Sequence, residues 1–234
     1  MDKFPLAIDL TIIIPCFNES MELKDTVKTN IDDANKYLRK FEVIIVDDGS
    51  TDDSLRIAQL LVKKHSHVRV VKHQKNLGLG AAILSGTKGA SYDFITYLPG
   101  DGQAYVRDII SGLRKTENAD LVLTYRTKRT DYTLYRKFLS RCLTILLRML
   151  FGLGFRDYNW VHIYRKNIFS KIDIKSRGVF FLAEIVIKAH RLGLKIVEAE
   201  SVYRPRLSGT SKTVKFKSVC KASLDMLRIW FESL

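Results

Sequence analysis

The sequence predicts an α/β fold with a mostly parallel central sheet between helix layers, and three observations carry that prediction. Short continuous apolar runs, such as Leu10-Thr11-Ile12-Ile13-Ile14 and Phe41-Glu42-Val43-Ile44-Ile45-Val46, have the length and β-branched content of strands buried on both faces. These runs alternate with segments of helical apolar period, and β-α-β-α alternation has a parallel sheet as its natural solution. Several of the runs end in polar turns, where ligands bind in open α/β sheets.

The first run stops at Pro15, and Ser20 is placed to cap a helix reaching about Arg39, with Leu23, Val27, Ile31, Ala34 and Leu38 on one face. The second run empties into Asp47-Asp48-Gly49-Ser50. Ser50-Thr51-Asp52-Asp53 then reads as a capping box for a helix from Leu55 to Lys64. Val68 to Val71 supplies a third strand, and Asn76-Leu77-Gly78-Leu79-Gly80 opens a small-residue helix from Ala81 to Ala90. The fourth strand begins at Phe94 and runs into the tight turn Pro99-Gly100-Asp101-Gly102-Gln103. A helix from about Val106 to Thr116 and a strand from Asp120 to Thr124 complete the alternation.

From Arg126 to Arg148 the character changes, with seven basic residues and one acid, Asp131, interleaved with aromatic and leucine-rich positions. This is the pattern of a basic amphipathic helix, lying either on a membrane surface or on the core with a solvated charged face. Tyr158, Trp160 and Tyr164 fall at the even spacing of one face of a strand. Phe180 to Leu192 reads as a helix stopped by Gly193, and Leu194 to Val202 as a strand. A donor-rich loop with Arg204, Arg206 and Lys212 precedes a last amphipathic helix carrying Phe216, Cys220, Leu224, Leu227 and Phe231.

At 234 residues the chain can bury the core of one good-sized domain without disulfides. Its three cysteines, Cys16, Cys142 and Cys220, are scattered and odd in number, which argues for a reducing compartment. The balance of 39 Lys+Arg against 25 Asp+Glu, a net +14, favours polyanionic partners. No nucleic-acid module is visible, so phosphates and anionic membrane are preferred over nucleic acid. The N-terminus lacks the features of a signal peptide, and the apolar stretch from Cys142 to Phe155 is interrupted by Arg148, so no spanning helix is expected. The five histidines, His65, His67, His73, His162 and His190, show neither metal-ligand nor triad spacing.

Asp47-Asp48-Gly49-Ser50 can serve ribose hydroxyls or a base N–H, or can be a simple turn with an N-cap. Gly78-Leu79-Gly80 lacks the third glycine of a dinucleotide fingerprint, since Ile83 stands there, and points instead to close packing or a tight loop. Asp101 and Gln103 offer two oxygen donors suited to Mg²⁺ or Mn²⁺, and Arg126, Arg206 and Lys212 are of the type that binds phosphate oxygens.

Pro15-Cys16-Phe17-Asn18-Glu19, Val46-Asp47-Asp48-Gly49-Ser50, Gly78-Leu79-Gly80 and Asp101-Gly102-Gln103, in this order, make the chain resemble the inverting glycosyltransferases of GT-A fold. Arg136-Lys137-Phe138-Leu139-Ser140-Arg141, Phe181-Leu182-Ala183-Glu184 and Arg204-Pro205-Arg206 make it similar to the polyprenyl-phosphate sugar synthases within that family. The resemblance implies a GT-A domain over residues 1–212, with a nucleotide-sugar half at 1–125 and an acceptor half at 126–212, followed by an amphipathic helix at 213–234. It implies that Pro15, Phe17, Glu19, Val46, Asp48 and Gly100 contact the nucleotide sugar, with Arg126, Arg206 and Lys212 on its diphosphate. Asp101 and Gln103 would hold Mg²⁺ or Mn²⁺. Arg136, Arg141 and Glu184 would face the acceptor, and Asp101, Arg126 and Arg136 would be catalytic.

The partners so implied are a nucleotide-diphosphate sugar, a polyprenyl phosphate and an anionic membrane surface on the cytoplasmic side, with room for a membrane-anchored subunit. The family usually carries Asp-X-Asp where this chain has Pro99-Gly100-Asp101, so one metal or sugar contact is absent. A polyprenyl phosphate is already ionised and needs positioning, not a base. A sugar hydroxyl acceptor would need a base, with Asp157 or Glu184 as the candidates. The substitution at Pro99 also leaves open a catalytically impaired binding subunit.

Overall fold

A computed structural model describes residues 5–127, 133–178, 180–205 and 216–232, with the side chains at 136 and 216–220 outside the description. Seven strands form one sheet in the order β3-β2-β1-β4-β6-β5-β7. These are β1 (Leu6–Cys16), β2 (Leu38–Asp47), β3 (Val68–Lys72), β4 (Phe94–Tyr97), β5 (Leu121–Arg126), β6 (His162–Arg165) and β7 (Ile196–Ser201). Helices α1 (Leu23–Tyr37), α2 (Ser54–Lys64) and α3 (Leu79–Lys88) link the first four strands, and α5 (Leu134–Phe151) lies between β5 and β6. The expected helix after Val106 is a 3₁₀ turn, Val106–Ile109, running into the single turn α4 (Ile110–Leu113). After β6 come α6 (Ile168–Lys171) and α7 (Phe181–Arg191), and α8 (Phe216–Phe231) follows β7.

The expected parallel core is present: β1 pairs in parallel with β2 and β4, and β2 with β3. The departure is β6, which runs antiparallel to both β4 and β5 and so makes the sheet mixed. A crossover helix covers a sheet face, whereas α5 meets the core chiefly through its second half, at Leu143, Leu147, Leu150 and Phe151. The alternation rule therefore does not apply to the β5–β6 connection.

Two caps also differ from expectation. Helix α1 begins at Leu23 and has no side-chain cap, while the Ser20 amide donates to Asp52 Oδ2 at 3.1 Å. Helix α2 begins at Ser54, and Ser50 Oγ instead accepts the Asn18 amide at 3.0 Å. Asp52 Oδ1 accepts the Ser54 amide, so the acid serves the helix start directly. These polar residues cap each other's loops across the β1 and β2 strand ends, which a reading limited to local spacing does not reveal.

The strand order reverses at β1, whose neighbours β2 and β4 connect to opposite sides. Such a switch point opens a crevice beyond the carboxyl ends of the strands. Here the loop after β1 and the turn after β4 flank the expected crevice.

Candidate functional site

The crevice wall is built from three strand ends. Leu98 donates to Ile13 O at 2.8 Å, carrying the β1–β4 ladder into the turn, and Gly100 is pressed on the Pro15 carbonyl, which a Cβ would meet at 3.1 Å. The Asp48 amide donates to Cys16 O at 2.8 Å, and the His73 amide to Asp47 O at 2.9 Å. Asn18 adopts φ 53° in the β1 loop, where its side chain accepts the Thr51 amide. Burial pushes the Cys16 thiol up to about 12, so it stays an uncharged wall residue.

The two adjacent aspartates behave differently, because alternation along a strand sends neighbours to opposite sides. Asp48 Oδ1 accepts from Leu77 N at 2.9 Å and faces His73 Nδ1 at 2.7 Å, while Oδ2 accepts from Gly78 N at 2.8 Å. Asp47 is 1 % exposed, and among the described residues neither of its carboxylate oxygens has a hydrogen-bond partner. Buried polar groups are ordinarily paired, so this carboxylate stands out at the strand end. The resemblance places Asp48, and not Asp47, on the nucleotide sugar, whereas in the fold it is Asp48 that is engaged by the loop.

In the β4 turn Asp101 is buried and its Oδ1 accepts the Gln103 amide at 3.2 Å. The Gln103 side-chain nitrogen donates to Tyr203 Oη at 3.0 Å, an orientation that keeps Oε1 as an acceptor. One carboxylate and one amide oxygen fit Mg²⁺ or Mn²⁺, provided phosphate and water complete the shell. Among the described residues no group of three His, Cys, Asp or Glu side chains could hold a metal without such help.

Arg126 forms a buried bidentate pair with Asp157, Nε to Oδ2 at 2.8 Å and Nη2 to Oδ1 at 3.0 Å. Its guanidinium also lies 4.6 Å from the Trp160 ring centroid and 5.8 Å from that of Tyr203. Trp160 and Tyr158 precede β6 and are not on it. Trp160 donates to Ser201 Oγ at 2.7 Å, and the Tyr158 hydroxyl accepts the Phe155 amide. Gln103, Tyr203, Trp160 and Arg126 thus form one connected layer behind the β4 turn.

Glu184 has 0 % exposure on α7, and its oxygens accept the Lys175 amide at 3.0 Å, the Ser176 amide at 2.7 Å and Lys188 Nζ at 2.7 Å. Burial pushes this carboxyl up, but the Lys175 amide, Lys188 and Ser176 outweigh it and hold it below the usual glutamate range. The arrangement ties α7 to the segment before it, whose Arg177 carbonyl accepts the Gly80 amide. Cβ atoms at Gly78 and Gly80 would meet Arg177 O at 2.7 Å and the Phe181 side chain at 2.8 Å. The glycine pair therefore serves close packing, as its spacing suggested.

Of the remaining expected residues, Val46 is 0 % exposed in the core and does not present its side chain to the crevice. Phe17 and Glu19 lie half-buried in the β1 loop, and Arg141 is exposed on α5. Arg206 and Lys212 lie outside the described residues, as does the Arg136 side chain.

A model of "Glycosyl transferase family 2" matches residues 11–173. The chain belongs to glycosyl transferase family 2. The family match spans all three strand-end turns, and the sheet with its switch-point crevice is the GT-A fold. A dodecaprenyl-phosphate galacturonate synthase of Rhizobium johnstonii is 28 % identical over 232 residues, 96 % of this chain and 67 % of its own length. An undecaprenyl-phosphate 4-deoxy-4-formamido-L-arabinose transferase of Klebsiella pneumoniae is 28 % identical over 216 residues, 91 % of this chain and 64 % of its own. The chain therefore spans about two thirds of the length of these curated relatives. Among solved structures, glucosyl-3-phosphoglycerate synthase of Mycobacterium tuberculosis, bound to Mn²⁺, UDP and phosphoglyceric acid, superposes with a TM-score of 0.71 at 16 % identity. That match covers 94 % of this chain and 76 % of the other.

Proposed function

We propose that the protein transfers a sugar, with inversion, from a nucleotide-diphosphate sugar in the switch-point crevice to a polyprenyl phosphate at a membrane surface. One observation carries the choice of acceptor. The two carboxylates that a hydroxyl acceptor would use as base, Asp157 and Glu184, are both committed, to Arg126 and to the Lys175, Ser176 and Lys188 donors. A polyprenyl phosphate needs no base, because its oxygen is ionised at neutral pH. The names of the Rhizobium and Klebsiella relatives, both acting on polyprenyl phosphates, support the same choice. The Mycobacterium neighbour, with its phosphoglycerate acceptor, has the same fold at lower identity.

In this reading Asp47 accepts an N–H from the base or an O–H from the ribose, and Asp101 with Gln103 holds Mg²⁺ or Mn²⁺ against the diphosphate. The metal would neutralise charge on the departing nucleotide. Arg126, fixed by Asp157, holds positive charge behind the turn and positions Tyr203 and hence Gln103. Arg136 and Arg141 serve the acceptor phosphate, and Arg206 and Lys212 the donor. Among the described residues no helix is long and apolar enough to cross a membrane. The proposed membrane contact rests on exposed faces of α5 and α8.

The test is transfer of radiolabel from a panel of nucleotide sugars to undecaprenyl or dolichyl phosphate. We expect label in the organic phase, lost in Asp101→Ala. Label that reaches only water-soluble saccharide would sink the lipid acceptor, and turnover unaffected by Asp101→Ala would sink the metal assignment.

A further inference from the structure

We propose that His73 is a positioning residue that, held between Asp48 and Ser85, sets the lip of the crevice on the β3 side. The inference rests on reading the crevice as the donor site. His73 directly follows β3, and its ring spans two elements: Nδ1 is 2.7 Å from Asp48 Oδ1, and Nε2 is 2.9 Å from Ser85 Oγ on α3. All three groups lie at or near the interior, with the Asp48 and His73 side chains 5 % and 8 % exposed. Asp48 accepts two backbone N–H groups and is an acceptor only when ionised, so the imidazole must offer it Nδ1–H. Nε2 faces the Ser85 hydroxyl, which can either donate to it or accept from it.

The consequence lies in the loop between β3 and α3. Three N–H groups converge on one carboxylate, and two of them belong to Leu77 and Gly78. Gly78 sits at φ 95° with Arg177 O 2.7 Å from where its Cβ would be, and Gly49 has the Lys75 backbone at 2.5 Å from the same point. The 75–78 loop is thus clamped between the β2 turn and the segment before α7, next to the unpartnered Asp47. His73 fixes the Asp48 carboxylate from behind, and Asp48 fixes the loop.

The same order of carboxylate, imidazole and hydroxyl activates a serine in hydrolases. Here Ser85 stands inside α3, where the backbone N–H groups are spent on the helix and cannot stabilise an oxyanion. The carboxylate is also shared with two loop amides, as befits a clamp.

The experiment compares the full-length parent with His73→Leu, His73→Asn and Ser85→Ala. Asparagine keeps a donor for Asp48 and loses the Ser85 arm. We expect ¹⁵N NMR to find a proton on His73 Nδ1. Leu77 and Gly78 amide exchange should be roughly ten-fold faster in His73→Leu, with Ile12 to Ile14 and Ile44 unchanged and with protection largely restored in His73→Asn. Ser85→Ala should behave as His73→Asn does. Unchanged Leu77 and Gly78 exchange, or an Nε2–H tautomer, would overturn the proposal. So would labelling of Ser85 by a fluorophosphonate, which would make it a nucleophile. UDP affinity, with GDP in parallel, should fall about ten-fold in His73→Leu and recover in His73→Asn. A parent that binds neither nucleotide overturns the donor-site reading alone, and the exchange measurement still decides the relay.

Discussion

Among the described residues the Asp47 carboxylate has no hydrogen-bond partner, although the backbone around it is paired. A buried carboxylate without donors costs stability, on the order of 1–3 kcal/mol or more for a charged group. Asp47→Asn should therefore leave the ligand-free protein equally or more stable while weakening nucleotide binding at least about ten-fold. Thermal unfolding with and without UDP or GDP checks both halves. A variant that loses stability and keeps nucleotide binding would assign Asp47 to the fold. Asp48, beside it, is expected to behave in the opposite way, since its carboxylate holds the Leu77 and Gly78 amides. The resemblance names only Asp48 of this pair. Only the direction each side chain takes from the strand end separates them.

At the scale of elements, α5 is the feature least like a core helix. Tyr135, Phe138, Ile145 and Met149 are 64 %, 63 %, 56 % and 76 % exposed. At about 100° per residue they fall on one face, with exposed Lys137, Arg141 and Arg148 along its border. Leu147 takes the opposite side into the core. An apolar face bordered by cations is the design of a helix lying in a lipid interface. We expect Phe138→Asp with Ile145→Asp to abolish sedimentation with anionic vesicles without lowering thermal stability. Parent binding should weaken in high salt through its electrostatic part. Loss of folding in the double variant would show that this face is buried. In α8, Leu224, Leu227 and Phe231 are exposed in the same way, while Met226 and Ile229 are buried.

At the scale of the whole molecule, acid stability depends on titratable groups that join strands and helices, the fully buried His162 among them. Burial lowers His162 from 6.5 to about 4, inside the antiparallel part of the sheet. The unfolded chain takes up that proton near 6.5 and the folded chain only near 4, so stability is full above 6.5 and falls as pH drops through this window. The loss amounts to roughly 3 kcal/mol. Glu42 and Asp52 act later. Burial pushes each up, but the Ser91 amide, Thr11 and Arg69 at Glu42, and Ser54 and Ser20 at Asp52, outweigh it. Asp52 falls to about 2, and its contribution disappears only between 3.8 and that value. His162→Gln, which keeps a donor for Tyr158 O, should flatten the urea midpoint between pH 6.5 and 4. An unchanged slope would mean that another group titrates there.

The strands of the parallel core, the helices between them and the polar turns at the strand ends were legible in the sequence. Apolar period, turn residues and strand-end location are local properties, and Leu10 to Ile14, Phe41 to Val46 and Phe94 to Gln103 displayed them openly. It also exposed Asp101 and Gln103 as a pair of oxygen donors and α5 as a basic amphipathic helix. The tertiary structure decided what depends on direction and on distant partners. It turned β6 antiparallel, because α5 does not cover the sheet as a crossover does. It gave Ser20 and Ser50 partners in each other's loops in place of their own helices. It left the Asp47 carboxylate unpaired among the described residues, locked Asp157 and Glu184 among donors, and brought His73 between Asp48 and Ser85, 25 residues back and 12 residues on in the chain. Residues that far apart have no common period, so their meeting is written only in the packing of β2, β3 and α3.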